Sequence, residues 1–249
     1  IFVLTQYQRD CLREYVRGMQ VQVSHLFQRR EGDQLVSLPP VSGKRYRGTA
    51  DAVFQNLPLI RFTTAEHVVV AAGDHVYAMD YRPLLARHLA TNAELTIGAV
   101  RRPVAEASAF GVLDVEDGMV TRFREKPAPE LLPECGRVLV GMGVYVFKRS
   151  ALVDIADRAT SGEIDFGHDI VPKMILRQRV AAYDFSNSPR NYWRDVGSLD
   201  SYFDANMDLL GPCPAFGMEM DSQWRIYSLS DSSILRTGGS RISTKAATE

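Results

Sequence analysis

The stretch Val68-Val69-Val70-Ala71-Ala72-Gly73-Asp74-His75, with Asp80 shortly after it, carries the first decision about the fold. Five small or β-branched apolar residues in a row, closed by glycine, predict a strand buried on both faces. A carboxylate then stands where the strand ends. Ligands of open α/β sheets bind in the crevice beyond the carboxyl ends of the strands, so Asp74 is placed for a divalent cation or a polar substrate. Capping the next helix is the plainer use of the same residue, but Asp80 is the better cap. It precedes Tyr81, Leu84, Leu85, His88 and Leu89, spaced as one helical face, with Pro83 in the first turn, where a missing N–H costs little.

Downstream, Leu95-Thr96-Ile97-Gly98-Ala99-Val100 reads as a second buried strand, and strand, helix, strand predicts a right-handed βαβ unit with a parallel pair. Val112 to Val115, a turn at Asp117-Gly118, and Val120 to Phe123 form a hairpin that delivers Glu125-Lys126-Pro127. Lys126 is either a point charge for a phosphate or half of a surface ion pair with Glu125. Val138 to Phe147 is a long strand whose Gly141 and Gly143 mark a close approach to the backbone, often by a ligand. Helical patches follow at Ala151–Ala156 and Ile170–Leu176, the second behind a polar loop, Asp165-Phe166-Gly167-His168-Asp169, of the kind found beside a site. A short strand, Val180 to Phe185, leads to Tyr192-Trp193-Arg194-Asp195-Val196-Gly197, where Asp195 is a second candidate carboxylate. Ser198 caps a helix bearing Leu199, Tyr202, Phe203 and Leu210.

Upstream, Ile1 to Leu4 is an apolar strand, followed by a helix with Leu12, Tyr15 and Val16 as its stripe and Gly18 at its end. Gln20-Val21-Gln22-Val23 alternates like an edge strand. In Arg45-Tyr46-Arg47-Gly48-Thr49, Thr49 is a good N-cap for a helix carrying Ala50, Val53, Leu57 and Ile60, which Pro58 should kink or split. Two arginines at a helix N-terminus favour an anion such as a phosphate, or else form a solvated charged loop.

At 249 residues and 45% hydrophobic content the chain can hold one large α/β domain, or one domain plus a tail. We expect a domain over 1–229 and a disordered, Ser/Thr-rich tail over 230–249. A net charge of −1, with no long basic run, argues against a nucleic-acid partner. Cys11, Cys135 and Cys213 show neither metal-site spacing nor a disulfide framework, so a reducing, cytoplasmic setting is expected. No signal peptide and no apolar run long enough for a membrane span are evident. The chain opens without Met on a strand already under way. That predicts a fragment, with Ile1–Leu4 lacking its partner strand and the sheet edge exposed.

Six motifs occur in one order: Tyr46-Arg47-Gly48-Thr49-Ala50-Asp51-Ala52, Gly73-Asp74-His75-Val76-Tyr77, Ala107-Ser108-Ala109-Phe110-Gly111-Val112, Glu125-Lys126-Pro127, Asp165-Phe166-Gly167 and Trp193-Arg194-Asp195-Val196-Gly197. The series, from Thr5 to about Tyr227, resembles the bacterial glucose-1-phosphate adenylyltransferases. The resemblance implies a Rossmann-like (GT-A-like) α/β nucleotidyltransferase domain with a mixed, mainly parallel sheet flanked by helices. It implies transfer from ATP to α-D-glucose 1-phosphate with Mg²⁺, giving ADP-glucose for glycogen and pyrophosphate, by a cytoplasmic, allosteric homotetramer with no nucleic-acid or membrane partner. Matched position by position, Asp74 corresponds to the catalytic, metal-associated aspartate and Asp195 to the carboxylate completing the metal site. Lys126 and Glu125 correspond to the sugar-phosphate pair, Tyr46 and Gly48 to the segment lining the nucleotide and sugar pocket, and Gln6 to a glutamine near ATP and the activator route. Gly141 stands where the family's sugar-binding strand has serine, and Arg45 where it usually has Trp. The family's glycine-rich, arginine-bearing loop and its C-terminal β-helix are not in the chain, which is therefore expected to be inactive as given. The competing readings are another sugar-phosphate nucleotidyltransferase and a non-catalytic regulatory subunit; Asp74, Lys126 and Asp195 argue against the latter.

Overall fold

The apolar run at the start of the chain does have a hydrogen-bonding partner. β1 (Phe2–Leu4) is followed by α1 (Arg9–Leu26) and pairs in parallel with β2 (Val36–Leu38), Phe2 opposite Val36 and Leu4 opposite Leu38. Thr5 extends the pairing through its N–H to the Leu38 carbonyl at 2.9 Å. α1 runs through Gly18 and takes in Gln20–Val23, whose alternation points to a strand. Four residues are too few to separate a period of 2 from one of 3.6, and one interior glycine costs a helix only about 1 kcal/mol.

The computed structural model describes residues 1–26, 35–41, 45–188 and 191–210; the expected tail at 230–249, and Cys213, lie outside them. Two units divide the chain, one from Ile1–Arg47 with Phe203–Glu249 and one from Gly48–Tyr202. Both divisions fall inside the stretch expected to be one catalytic domain.

In the Gly48–Tyr202 unit, Pro58 splits the expected helix into α2 (Thr49–Gln55) and α3 (Leu57–Phe62), parting at Asn56. Gly48, not Thr49, occupies the cap position of α2. β3 (His67–Ala71), β4 (His75–Tyr77) and α4 (Tyr81–Thr91) follow. The Asp80 carboxylate caps α4 by accepting the Arg82 N–H at 2.9 Å, as expected of it. β5 (Leu95–Pro103) and α5 (Val104–Ala107) lead to the hairpin of β6 (Gly111–Glu116) and β7 (Met119–Glu125). Asp117 and Gly118 turn that hairpin with φ of 50° and 77°, the conformation a two-residue turn demands. β8 (Arg137–Lys148), α6 (Arg149–Arg158), a π turn at Phe166–Ile170 leading into α7 (Val171–Arg177), β9 (Val180–Asp184), β10 (Trp193–Asp195) and α8 (Leu199–Leu210) complete the order; α8 crosses the second division.

Six strands form one mixed sheet in the order β3-β8-β5-β9-β7-β6. β3, β5, β6 and β9 share a direction that β7 and β8 oppose, so among the described strands of this sheet only β5 and β9 are parallel neighbours. The sheet is mainly antiparallel, not mainly parallel as expected, because β7 and β8 return against strands of the other direction. β3 and β5 run the same way through α4, as the βαβ reading requires, yet they are not neighbours. β8 lies between them, antiparallel to both. Among the described strands β3 pairs with β8 alone and ends the sheet, with Val69 48% exposed, so the strand expected to be buried on both faces is buried on neither. Its apolar run reflects β-branched propensity as much as burial.

Alternate side chains of β8 serve the two faces of the sheet. Val140, Met142, Val144 and Val146 pack with Met79, Leu84, Val112 and Trp193. Tyr145 and Phe147 meet Phe166 at 5.6 and 5.5 Å between ring centroids. β4 and β10 pair as a separate antiparallel ribbon with His75 opposite Asp195.

Candidate active site

The β4–β10 ribbon brings together two carboxylates remote in sequence. Asp74 directly precedes β4, its carbonyl accepts the Val196 N–H at 3.3 Å, and Asp195 ends β10. Both carboxylates reach one imidazole nitrogen. His75 Nε2 lies 3.6 Å from Asp74 Oδ1 and 3.9 Å from Asp195 Oδ1. Asp195 Oδ1 also accepts the Gly197 N–H at 3.0 Å, whereas the Asp74 side chain is 76% exposed. Gly143, with φ +68°, makes room for the imidazole, because a Cβ there would lie 2.9 Å from His75 Cε1 and 3.0 Å from the Ala72 Cβ.

Trp193 supports the same imidazole edge-on at 5.1 Å. Phe110 meets its ring at 5.3 Å, the Arg102 guanidinium lies 5.2 Å from its centroid, and that guanidinium donates to the Trp193 carbonyl. Sequence reasoning singles out neither His75 nor Trp193. The available signal is that each adjoins or nearly adjoins a candidate carboxylate.

Among the described residues no three His, Cys, Asp or Glu side chains are grouped to hold a metal ion. The chemistry of the pair nevertheless fits a hard divalent cation, of the kind held through one or two carboxylates with substrate phosphates and water filling the remaining positions.

Glu125 and Lys126 form a second group in the same unit. β7 ends at Glu125, and Lys126 takes the left-handed conformation with φ 43° while its N–H donates to the Phe110 carbonyl at 3.0 Å. The Lys126 side chain is exposed. Glu125 fits a slot between two glycines: a Cβ on Gly111 would lie 2.8 Å from Glu125 Oε2, and one on Gly167 would collide with the same oxygen. Burial first, then the Asp165 carboxylate, push the Glu125 carboxyl above its ordinary range, with His168 and Lys126 opposing. Burial, then Glu125 and Asp165, likewise raise the Tyr145 hydroxyl. Asp165 is itself fixed. Its carboxylate accepts Gly167 N–H at 2.8 Å, His168 N–H at 3.1 Å and the Thr49 hydroxyl at 2.9 Å. The Asp165–Asp169 loop thus closes over Glu125. β8 links the two groups, since Gly143 underlies His75 and Tyr145, two residues on, feels Glu125.

The remaining candidates are placed differently. Gly141 has ordinary contacts: a Cβ added there would come no nearer than 3.8 Å to the Gly111 carbonyl and Phe123, so a Cβ fits. Gly48 lies against the Ile164 carbonyl so closely that any Cβ would clash. That carbonyl accepts the Ala50 and Asp51 N–H groups at 2.9 and 3.0 Å. The helix N-terminus expected to favour a phosphate is therefore filled by the protein's own backbone. Gln6 and Tyr46 belong to the other unit and meet each other there, with Tyr46 N–H donating to Gln6 Oε1 at 2.5 Å and its hydroxyl donating to the Leu38 carbonyl at 3.1 Å.

Comparison with known proteins follows the same lines. The nucleotidyl transferase family model matches residues 1–211. Glucose-1-phosphate adenylyltransferase 2 of Alkalilimnicola ehrlichii is 41% identical over 240 residues, covering 92% of this chain and 56% of that protein. The glucose-1-phosphate adenylyltransferases of Methylobacillus flagellatus and Shewanella amazonensis are 42% and 43% identical, again over 92% of this chain and 56% of each relative. The chain thus spans a little over half the length of these relatives. A match over most of its length, on a mixed α/β fold with two carboxylates gathered beside its sheet, shows that the chain belongs to the nucleotidyl transferase family.

Proposed function

We propose that this chain carries the catalytic site of a glucose-1-phosphate adenylyltransferase, which makes ADP-glucose for glycogen synthesis. The observation that carries the reading is the meeting of Asp74 and Asp195 at His75, in a chain whose relatives bear that name. A phosphate oxygen of α-D-glucose 1-phosphate attacks the α-phosphorus of ATP. The bond to the bridging oxygen breaks, and its electron pair leaves with pyrophosphate. Such a transfer needs positioning and charge neutralisation rather than covalent catalysis. Asp74 and Asp195 would hold Mg²⁺, which would supply that neutralisation at the phosphates. Lys126 binds the sugar phosphate as a point charge, and Glu125, held in its glycine slot, accepts sugar hydroxyls. Gly141 leaves the β8 backbone open to the substrate, whereas Gly48, packed against Ile164, shapes the turn before α2 rather than meeting the substrate. Gln6 and Tyr46, hydrogen-bonded to each other, are the residues assigned to the nucleotide.

The test is pyrophosphate release by the whole protein with each nucleoside triphosphate against a panel of sugar 1-phosphates. ATP with glucose 1-phosphate is expected to give the highest kcat/KM. Preference for another pair would assign a different sugar nucleotidyltransferase, and no turnover with any pair would assign a regulatory subunit. The same reading carries a cytoplasmic homotetramer, to be measured by light scattering and cell fractionation; no helix among the described residues is long and apolar enough to cross a membrane.

A further inference from the structure

His75 is fixed more firmly than a packing residue beside two acids requires. Its Nδ1 lies 2.8 Å from the Met142 carbonyl oxygen. A carbonyl only accepts, so Nδ1 carries a hydrogen, and in that tautomer Nε2 presents its lone pair. The ring is held edge-on to Trp193 and rests on the backbone of Gly143. Cross-strand pairing of β4 with β10 sets His75 directly opposite Asp195. Nε2 then faces Asp74 Oδ1 and Asp195 Oδ1 at 3.6 and 3.9 Å. Both distances exceed a hydrogen bond, and ionised carboxylates have no hydrogen to donate. An acceptor aimed between two anions calls for a donor that all three can share.

We propose that His75 is a positioning residue of the cation site. Its Nε2 accepts a hydrogen bond from water bound to the divalent cation held by Asp74 and Asp195, and so orients that water and, through it, the ion. The inference rests on the metal reading of the carboxylate pair. Mg²⁺ held by two carboxylates retains several of its waters, so one remains for Nε2 to orient. Outer partners of this kind are typically worth about 10–100-fold in metal affinity.

Mn²⁺ binding, followed by electron paramagnetic resonance on the purified whole protein, tests it without turnover. His75→Phe keeps a ring against Trp193 and loses both nitrogens; it is expected to bind Mn²⁺ at least about tenfold more weakly than wild type. His75→Gln, whose amide oxygen reaches the place of Nε2, is expected to recover most of that loss. In the wild type, long-range ¹H–¹⁵N spectra above the ordinary imidazole pKa should show the Nδ1–H tautomer, with the Nε2 resonance moving on addition of Mg²⁺. Unchanged Mn²⁺ affinity in the Phe variant, or a hydrogen on Nε2, overturns the inference. Should the Phe variant fail to fold, the tautomer and the Mg²⁺-dependent shift decide alone. A wild type that binds no Mn²⁺ removes the metal reading itself, which separates that failure from one confined to His75.

Discussion

Lys126 combines an exposed ammonium with a backbone conformation that side chains other than glycine, asparagine and aspartate seldom adopt. Such strain costs on the order of 1 kcal/mol and persists where the surroundings impose it, here through the Lys126 N–H bond to Phe110. Charge and strain can be separated by two substitutions. Lys126→Ala and Lys126→Gly should both raise KM for glucose 1-phosphate by orders of magnitude and leave KM for ATP nearly unchanged, as expected of a lost ammonium–phosphate contact. The glycine variant should unfold at higher urea than the alanine variant, by about 1 kcal/mol. Equal KM losses for both substrates would move Lys126 from binding to support of the fold. At the carboxylates, Asp195→Asn keeps shape and removes charge. It should lower kcat by roughly 10²–10³-fold, the scale of one preorganised electrostatic contact, while circular dichroism stays native. A kcat within a few-fold of wild type would detach Asp195 from the chemistry.

At the level of elements, β8 joins the two candidate groups, and its glycines are not equivalent. Gly143 has positive φ and the His75 ring against it; Gly141 has neither constraint. Gly143→Ala should therefore destabilise by about 1–3 kcal/mol and weaken Mn²⁺ binding by displacing His75. Gly141→Ser should leave stability within about 1 kcal/mol, since replacing glycine within a strand offsets the crowding. Thermal unfolding of the two variants side by side checks the contrast, and equal losses would show that β8 tolerates no side chain along this stretch. Most elements are legible in the sequence because their signals are local. Asp80 capping α4, Pro58 splitting α2 from α3, and Asp117-Gly118 turning β6 into β7 each rest on residues within a turn of one another. Gln20–Val23 misleads because its two-residue alternation is also compatible with a helix.

On the scale of the molecule, stability should depend on pH through a buried imidazole beside the start of β3. His88 is buried against Thr96, whose hydroxyl lies 2.8 Å from its Nδ1, and its ring meets His67 at 5.0 Å. Burial first, then His67 and Lys148, lower its pKa to about 4, with Glu94 opposing. The folded state thus holds His88 neutral where the unfolded chain, with an ordinary imidazole pKa near 6.5, binds a proton. This contribution is complete above about pH 6.5 and is lost as pH falls from there towards 4. The urea midpoint of wild type should fall more steeply between about pH 7 and 5 than that of His88→Gln. Parallel slopes would mean that His88 takes up its proton without leaving the fold.

Local signals were enough to read most elements and their order, Gln20–Val23 excepted, because propensity, capping and turn geometry act over a few residues. Tertiary structure alone decided which of these meet. Among the described strands β3 ends the sheet with β8 rather than β5 as its neighbour, and sequence periodicity does not encode that choice of neighbour. Pairing β4 with β10 brought Asp74 and Asp195 to one imidazole. The Ile164 carbonyl filled the helix N-terminus whose sequence suits a phosphate. Each outcome depends on contacts between segments far apart in the chain, where the energy of packing and hydrogen bonding outweighs local preference.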